Sequence, residues 1–255
     1  MFDPGCLVLS CSPRAGGNSD TAAQAFSTAY AKGRAEACAQ AAQVYAGTGE
    51  TQNPGAGVAF LRDFTLLPCT DCDACGKNML ALQEREYILS PHEFVSGKTA
   101  LKTPSSDSQS RDFPPFLCPQ SLADDSAVLL RALACSASVC ITAPIYFYHL
   151  PAQLKALLDR TQTFWRLKEL LPAASRKFFS AQRKKCRLIL MGGRKKGKKL
   201  FAGSLLSLDY ALSGLGLELH NPLLLYGLET PDSLKRSPSD LERVWAYGHA
   251  AGQQK

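Results

Sequence analysis

The sequence predicts an α/β fold in which a parallel β-sheet is covered by helices on both faces. Short apolar runs typical of strands recur along the chain, and patterns with helical spacing lie between most of them. This alternation favours a parallel sheet, because two parallel strands must be joined by a long crossover, usually a helix. A chain of 255 residues, 45% of them hydrophobic, suffices for one such domain. The predicted strands are Cys6–Ser10, Val58–Leu61, Ser138–Ala143, Arg187–Met191 and Leu223–Tyr226.

Helices are predicted in the segments between these strands. The first, from Ser19 to Lys32, has apolar residues at helical spacing, and Gly33 is predicted to end it. The last begins after Ser237, a suitable N-cap, with Pro238 at the first helical position. The other predicted helices are Asp124–Cys135, Pro151–Leu170 and Phe201–Leu215. Residues 76–117 do not fit this repeat and are predicted to be an insertion, polar and rich in proline toward its end.

The net charge of +7 is unevenly distributed along the chain. Residues 160–200 hold 14 Lys or Arg residues and one acidic residue, Glu169, so this segment favours an anionic partner. Nucleic acid is not expected, since no nucleic-acid-binding motif accompanies the basic residues. No apolar run reaches the roughly 18 residues of a membrane-spanning helix, and the N-terminus lacks the basic region of a signal peptide. We therefore expect a cytoplasmic protein without a membrane segment.

The stretch "SCSPRAGGNSDT" (residues 10–21) follows the first strand and opens the first helix. A polar loop at a helix N-terminus binds anions, because free backbone N–H groups and the helix dipole both attract negative charge. The loop lacks the lysine of a P-loop and the G-x-G-x-x-G of a dinucleotide site, and Cys11 and Arg14 are too close for a cysteine-phosphatase loop. The phosphate of a mononucleotide fits what remains, and a turn with a helix cap is the alternative.

A second segment, "TAPIYFYHLPAQLKALLDR" (142–160), follows the third strand. Together the two motifs resemble the NAD(P)H-dependent FMN reductase family, flavodoxin-like flavoproteins that include quinone reductases. The resemblance covers Cys6–Tyr226, interrupted at 76–117, and implies one flavodoxin-like FMN-binding domain over residues 1–255 with strand order 2-1-3-4-5. It implies an oxidoreductase that passes electrons from NAD(P)H through FMN to a quinone or other small acceptor. No side-chain acid or base is expected to be essential, because the flavin carries the chemistry.

The resemblance also implies which residues hold FMN. The first loop would contact its phosphate, the segment after the third strand would lie along the flavin ring, and two glycines after the fourth strand would leave room for the ring. These residues are Ser10, Ser12, Arg14, Asn18, Ser19 and Thr21 in the first loop, Pro144, Ile145, Tyr146 and Phe147 in the second, and Gly192 and Gly193 in the third. Ordinary aromatic packing is the alternative for Tyr146 and Phe147. The basic residues 194–199 would steer NADPH or an acidic electron-transfer partner, or would simply be solvated.

In this family the helix after the second motif helps to form a dimer. Here that helix carries more apolar residues than one face of a sheet needs, and the resemblance therefore implies a homodimer or homotetramer. The apolar residues are Leu154, Leu157, Leu158, Phe164 and Trp165.

Three of the ten cysteines, Cys69, Cys72 and Cys75, have C-x-x-C-x-x-C spacing. Such spacing lets three thiolates bind a [4Fe–4S] cluster, and a fourth ligand must come from elsewhere. Iron–sulfur flavoproteins of the same superfamily have a similar triplet whose cluster passes electrons to FMN, and the resemblance implies Cys118 as the fourth ligand, displaced by the insertion. A zinc site with four thiolates and a loop without metal are the alternatives. The second functional hypothesis is therefore an iron–sulfur electron carrier.

Overall fold

The computed structural model describes residues 5–44, 55–77, 118–170 and 183–254. The predicted insertion therefore lies outside the described residues, apart from Gly76 and Lys77. The strands are β1 (Cys6–Ser10), β2 (Ala56–Phe60), β3 (Ser138–Pro144), β4 (Lys184–Gly192), β5 (Leu217–Leu219) and β6 (Leu223–Tyr226). The helices are α1 (Asn18–Val44), α2 (Ser126–Cys135), α3 (Ala152–Arg160), α4 (Gln162–Leu170), α5 (Ala202–Gly214) and α6 (Pro238–Gln253). Short 3₁₀ turns cover Leu61–Asp63 and Pro119–Leu122.

The sheet has the predicted order β2-β1-β3-β4-β5 with every pair parallel, so the fold is flavodoxin-like α/β. Two short strands share the position beyond β4. Residues 184–186 of β4 pair with β5, and residues 189–192 pair with β6. The chain between them contains Asn221, whose φ is 44°, and Pro222, which has no N–H to donate. These two residues separate β5 from β6, and of the two strands only β6 was predicted from the sequence.

Two layers of core lie on opposite faces of the sheet, as expected for strands buried on both sides. Leu7 and Leu9 of β1 pack into one layer, and Cys6 and Val8 pack into the other. The first layer takes in α2, α3 and α5, and the second takes in α1 and α6. In the described part of the chain, no helix combines the length and hydropathy that crossing a membrane requires.

The predicted end of the first helix is wrong, because α1 continues through Gly33 to Val44. A Cβ atom at Gly33 would lie 2.2 Å from the carbonyl oxygen of His249, so this glycine lets α1 and α6 approach closely and does not end the helix. The helix predicted over 151–170 is divided into α3 and α4 at Thr161. The Thr161 hydroxyl donates to the Leu158 carbonyl at 2.7 Å, a local bond that competes with helical pairing.

Candidate functional site

The two predicted motifs and the loop after β4 all lie at the carboxyl edge of the sheet, because β1, β3 and β4 are parallel neighbours. Backbone hydrogen bonds hold their first residues together. The Cys11 N–H donates to the Thr142 carbonyl, and the Ile145 N–H donates to the Met191 carbonyl, both at 2.8 Å. In open α/β sheets this edge is where ligands bind. The strand order thus brings the three loops side by side.

The loop of residues 10–21, called the opening loop below, is organised by the carboxylate of Asp20, a residue that the sequence reasoning did not select. Its Oδ1 accepts a 2.6 Å hydrogen bond from the Ser10 hydroxyl, and its Oδ2 accepts a 2.7 Å bond from the Gly16 N–H. Gly16 has a φ of 69°, a conformation that glycine adopts without strain. Asp20 therefore fixes the loop from its inner side and occupies two of the donors that a phosphate would otherwise use.

The charge of Asp20 is balanced by Arg62, which follows β2. The two side chains are 3.0 Å apart, and that of Asp20 is only 5% exposed. Because the pair is nearly closed off from water, the carboxylate does not leave a net negative charge in the loop. An anion at this loop would therefore have to be held by groups other than Asp20 and its partners.

The remaining residues of the predicted phosphate set divide into outward and inward groups. Arg14 is exposed, and its N–H donates to the Ser12 hydroxyl oxygen at 3.1 Å. Asn18 points away from the loop: its amide donates to the Thr230 carbonyl at 2.8 Å and its Oδ1 accepts from the Leu234 N–H at 2.9 Å. The Thr21 hydroxyl donates to the Gly17 carbonyl at 3.1 Å.

Ser19 is buried, and its carbonyl accepts a 3.0 Å bond from the Thr142 hydroxyl of β3. The first turn of α1 leaves backbone N–H groups without partners inside the helix, as every helix does. The donors of this loop that Asp20 does not use therefore include the exposed Arg14, the hydroxyl of the buried Ser12 and the first N–H groups of α1. This set fits a single phosphate group.

The segment after β3 forms a tight turn made of aromatic residues. Tyr146 and His149 exchange two backbone hydrogen bonds of 2.9 Å, and Phe147 and Tyr148 between them have φ values of 50° and 65°. Two consecutive positive φ angles normally require Asn or Gly, so bulky residues there are strained. Phe147 is fully exposed, and Tyr146 and Tyr148 are 44% and 43% exposed. Strain held at an exposed aromatic surface is typical of a binding site.

Two contacts hold this turn against its neighbours. The Arg194 guanidinium donates to the Tyr148 hydroxyl at 2.9 Å and lies 5.5 Å from the centre of the Tyr148 ring. The His149 Nε2 lies 3.1 Å from the Ser207 hydroxyl of α5, so His149 is held by a helix and does not face the turn's exposed side chains.

Gly192 and Gly193 lie where β4 ends. A Cβ at Gly192 would come within 2.6 Å of a Leu200 side-chain carbon, so the absence of a side chain there makes room for the protein's own packing. A Cβ at Gly193 would be 3.5 Å from Glu229, an ordinary contact. Their predicted role next to a flavin ring stays a prediction.

The four predicted metal ligands lie around one pocket between the loop after β2 and the helices α3 and α4. Arg160 and Arg166 also line it. Burial raises the pKa of the Cys75 thiol, and the neighbouring Cys118 adds to that rise. The cysteines at this pocket are Cys69, Cys72, Cys75 and Cys118.

The thiols at this pocket do not stand in the arrangement of a metal site. Within the described residues, no three or more His, Cys, Asp or Glu side chains are close enough together to hold a metal ion. The residues as placed therefore do not fit a [4Fe–4S] cluster or a zinc ion.

Most of the apolar residues on which the dimer prediction rested lie in the hydrophobic core of the chain itself. All but Trp165 are buried in the core layer that contains α3, with at most 3% of each residue exposed. The surplus of apolar surface inferred from the sequence is therefore not found on this helix, and the dimer stays a prediction.

No protein-family model matches the chain, and no curated protein matches it. Solved structures of similar shape include a flavone reductase, which is 10% identical to this chain and has a TM-score of 0.49. The aligned region covers 97% of this chain and 60% of the flavone reductase chain. An azoreductase from Bacillus anthracis str. Sterne is 11% identical, with 99% and 97% of the two chains covered and a TM-score of 0.49. An NAD(P)H:quinone oxidoreductase from Methanothermobacter marburgensis is 15% identical, with 99% and 96% covered and a TM-score of 0.47. At such low identity these likenesses assign no role to any residue of this chain.

Proposed function

We propose that this chain is an FMN-dependent NAD(P)H oxidoreductase that passes electrons to a quinone or another small acceptor. The observation that supports it best is the pairing of the opening loop with the strained aromatic turn at adjacent strand ends. One offers donors for a single phosphate, and the other offers exposed aromatic faces for a planar ring. FMN combines these two chemical features in one molecule.

The chain's own residues would have separate tasks at this site. Arg14, the Ser12 hydroxyl and the N–H groups of α1 would hold the phosphate, while Asp20 keeps their loop in shape. Tyr146 and Phe147 would lie along the ring and exclude water from one side of it. When bound, FMN supplies hydride acceptance and electron transfer, and the protein positions it.

The first test is flavin binding by the purified protein. We expect saturable uptake of FMN, followed by its visible absorption, and little uptake of FAD, because the loop has one phosphate site and no pyrophosphate fingerprint. Arg14→Ala should weaken FMN binding by about 1.5–3 kcal/mol, the scale of a hydrogen bond to a charged group. The matched control is Arg34→Ala, since Arg34 lies farther along α1. Failure to bind FMN at micromolar concentration would contradict the proposal.

The electron-carrier alternative would require the four cysteines at the pocket to rearrange around a cluster, because as placed they do not form a metal-binding group among the described residues. It requires anaerobically purified protein to contain about four irons per chain. Cys118→Ser should then remove the iron and leave FMN binding intact, whereas Cys140→Ser, at a buried position in β3, should keep the iron. Iron-free protein that still binds FMN would rule this alternative out and leave the reductase.

A further inference from the structure

The loop of residues 194–199, called the basic loop below, carries five positive charges and follows β4. Its cations are Arg194, Lys195, Lys196, Lys198 and Lys199, all exposed. Within the described residues, no salt bridge joins any of these five to a carboxylate. Exposed arginines elsewhere do have acid partners, such as Arg243 with Asp240 at 2.8 Å. Among the residues that the structure describes, the basic loop is therefore a patch whose charges no ion pair balances.

The basic loop is fixed beside the aromatic turn. Its first residue is held by the Gly227 N–H, which donates to the Arg194 carbonyl at 3.0 Å, and by the side-chain contact of Arg194 with Tyr148. Since β3 lies between β1 and β4, the aromatic turn has the opening loop on one side and the basic loop on the other. Two separate groups of anion-binding residues thus flank one aromatic surface.

We propose that the basic loop binds the 2′-phosphate of NADPH and makes NADPH the preferred electron donor. This inference rests on the proposed function. NADPH and NADH differ by that one phosphate, which carries close to two negative charges at neutral pH. Discrimination between them must therefore come from cations placed to meet it. The opening loop offers a single phosphate site, so a second cluster of cations serves a second phosphorylated molecule.

The surroundings of the basic loop favour a small anion over a polyanion. The cations lie within one loop of six residues, and Glu229 lies beside Gly193 at the base of the loop. An extended nucleic acid would meet this carboxylate as well as the lysines, whereas a single phosphate group can be held by the loop alone.

The first test measures binding without catalysis. Calorimetry on the purified protein compares adenosine 2′,5′-bisphosphate with adenosine 5′-monophosphate, which lacks the 2′-phosphate. We expect the bisphosphate to bind more tightly by about tenfold or more, the size of one charge-assisted hydrogen bond. The variant with Lys195, Lys196, Lys198 and Lys199 all changed to Gln should lose this difference. A control variant removes four other cations that lie away from the carboxyl edge, Lys32, Arg131, Arg183 and Lys185, and should keep it.

The second test uses the FMN-loaded enzyme. In the four-lysine variant, kcat/KM for NADPH divided by kcat/KM for NADH should fall by about tenfold or more, and in the control variant it should stay as in the unmodified enzyme. An unchanged ratio in an active enzyme overturns the inference. An equal decrease of kcat/KM for NADPH and for NADH in the four-lysine variant also overturns it. So does tighter binding of a short oligonucleotide than of the bisphosphate by the unmodified protein. Protein that binds no FMN and oxidises neither donor contradicts the proposed function, whereas the calorimetric result still decides the phosphate site.

Discussion

Asp20 shows how one buried carboxylate can stabilise a polar loop at the start of a helix. It bonds to the Ser10 hydroxyl, the Gly16 N–H and Arg62, so three segments of chain depend on it. Asp20→Ala should lower the free energy of unfolding by about 3 kcal/mol, because it leaves Arg62 without its buried partner. The control is Asp63→Ala. Asp63 is exposed and 4.0 Å from Arg62, and its loss should change stability by less than about 0.5 kcal/mol in chemical denaturation.

The strain at Phe147 leads to a second prediction at the residue scale. Phe147→Gly should raise the free energy of unfolding by about 1 kcal/mol, since glycine adopts a φ of 50° without cost and the exposed ring packs against nothing. Phe147→Ala is the matched comparison, because alanine removes the ring but retains the Cβ that causes the strain. Both should bind FMN more weakly than the unmodified protein. Equal stability of the Gly and Ala variants, measured by denaturant unfolding, would mean that the turn is not strained.

Residue identities in the site were predictable only where composition carries the signal. Serine, arginine and glycine directly after an apolar run indicate an anion loop through their residue types alone. The inward role of Asn18 and the bonding of Asp20 depend on segments that are distant in sequence, such as Arg62 and the Leu234 N–H. Positive φ angles at aromatic residues contradict local preference, so no pattern could have predicted the turn.

At the scale of elements, Arg160 at the end of α3 joins the loop after β2 to the start of α2. Its guanidinium donates to Asp124 at 2.8 Å, to the hydroxyls of Ser121 and Ser126 at 2.9 Å each, and to the Leu67 carbonyl at 3.1 Å. Both side chains of the Arg160–Asp124 pair are at most 1% exposed. This network holds the two segments that carry the four cysteines of the pocket.

The same network predicts a dependence of stability on pH. Burial alone would raise the pKa of Asp124, but hydrogen bonds from Ser126 and the Leu67 N–H, together with Arg160, outweigh it and hold that pKa below its ordinary value. A lowered folded-state pKa gives stabilisation that is present above the ordinary carboxyl range, near pH 4, and is lost as the pH falls further. Asp124→Asn should therefore be less stable at neutral pH, with a flatter profile of unfolding free energy from about pH 5 to pH 2. Asp209→Asn, at an exposed position, should keep the original profile, and a steep acid limb in Asp124→Asn would contradict the assignment.

Strands and helices were largely predictable because each buries a face whose period can be read from the sequence. Strands β1 and β6 have the predicted ends, whereas β5, only three residues long, was missed. The C-terminal end of α1 was not predictable, because glycine often ends helices. Here Gly33 lies inside α1 and packs against α6. A Cβ at Gly252 would likewise lie 2.1 Å from the Tyr30 carbonyl oxygen. The close packing of α1 against α6 therefore depends on residues more than 200 positions apart in the sequence.

In the whole molecule, the opening loop is a junction of distant parts of the chain. Asp20 connects it to the segment after β2, the Ser19 carbonyl connects it to β3 through Thr142, and Asn18 connects it to the segment before α6. Unfolding of the domain must break all of these connections. A ligand held by the opening loop should therefore stabilise the entire domain and not the loop alone.

This reasoning predicts that FMN raises the free energy of unfolding of the domain as a whole. At a free FMN concentration of about 100 times its Kd, the increase should be about 2.7 kcal/mol, with the unfolding transition still cooperative. Riboflavin is the control ligand, because it has the same ring system but lacks the phosphate. At the same free concentration, riboflavin should raise the free energy of unfolding clearly less than FMN does. In the Arg14→Ala variant, the difference between the stabilisation by FMN and that by riboflavin should be smaller. Thermal and denaturant unfolding monitored by circular dichroism measure both effects. Equal stabilisation by riboflavin and FMN would show that the opening loop is not the phosphate site.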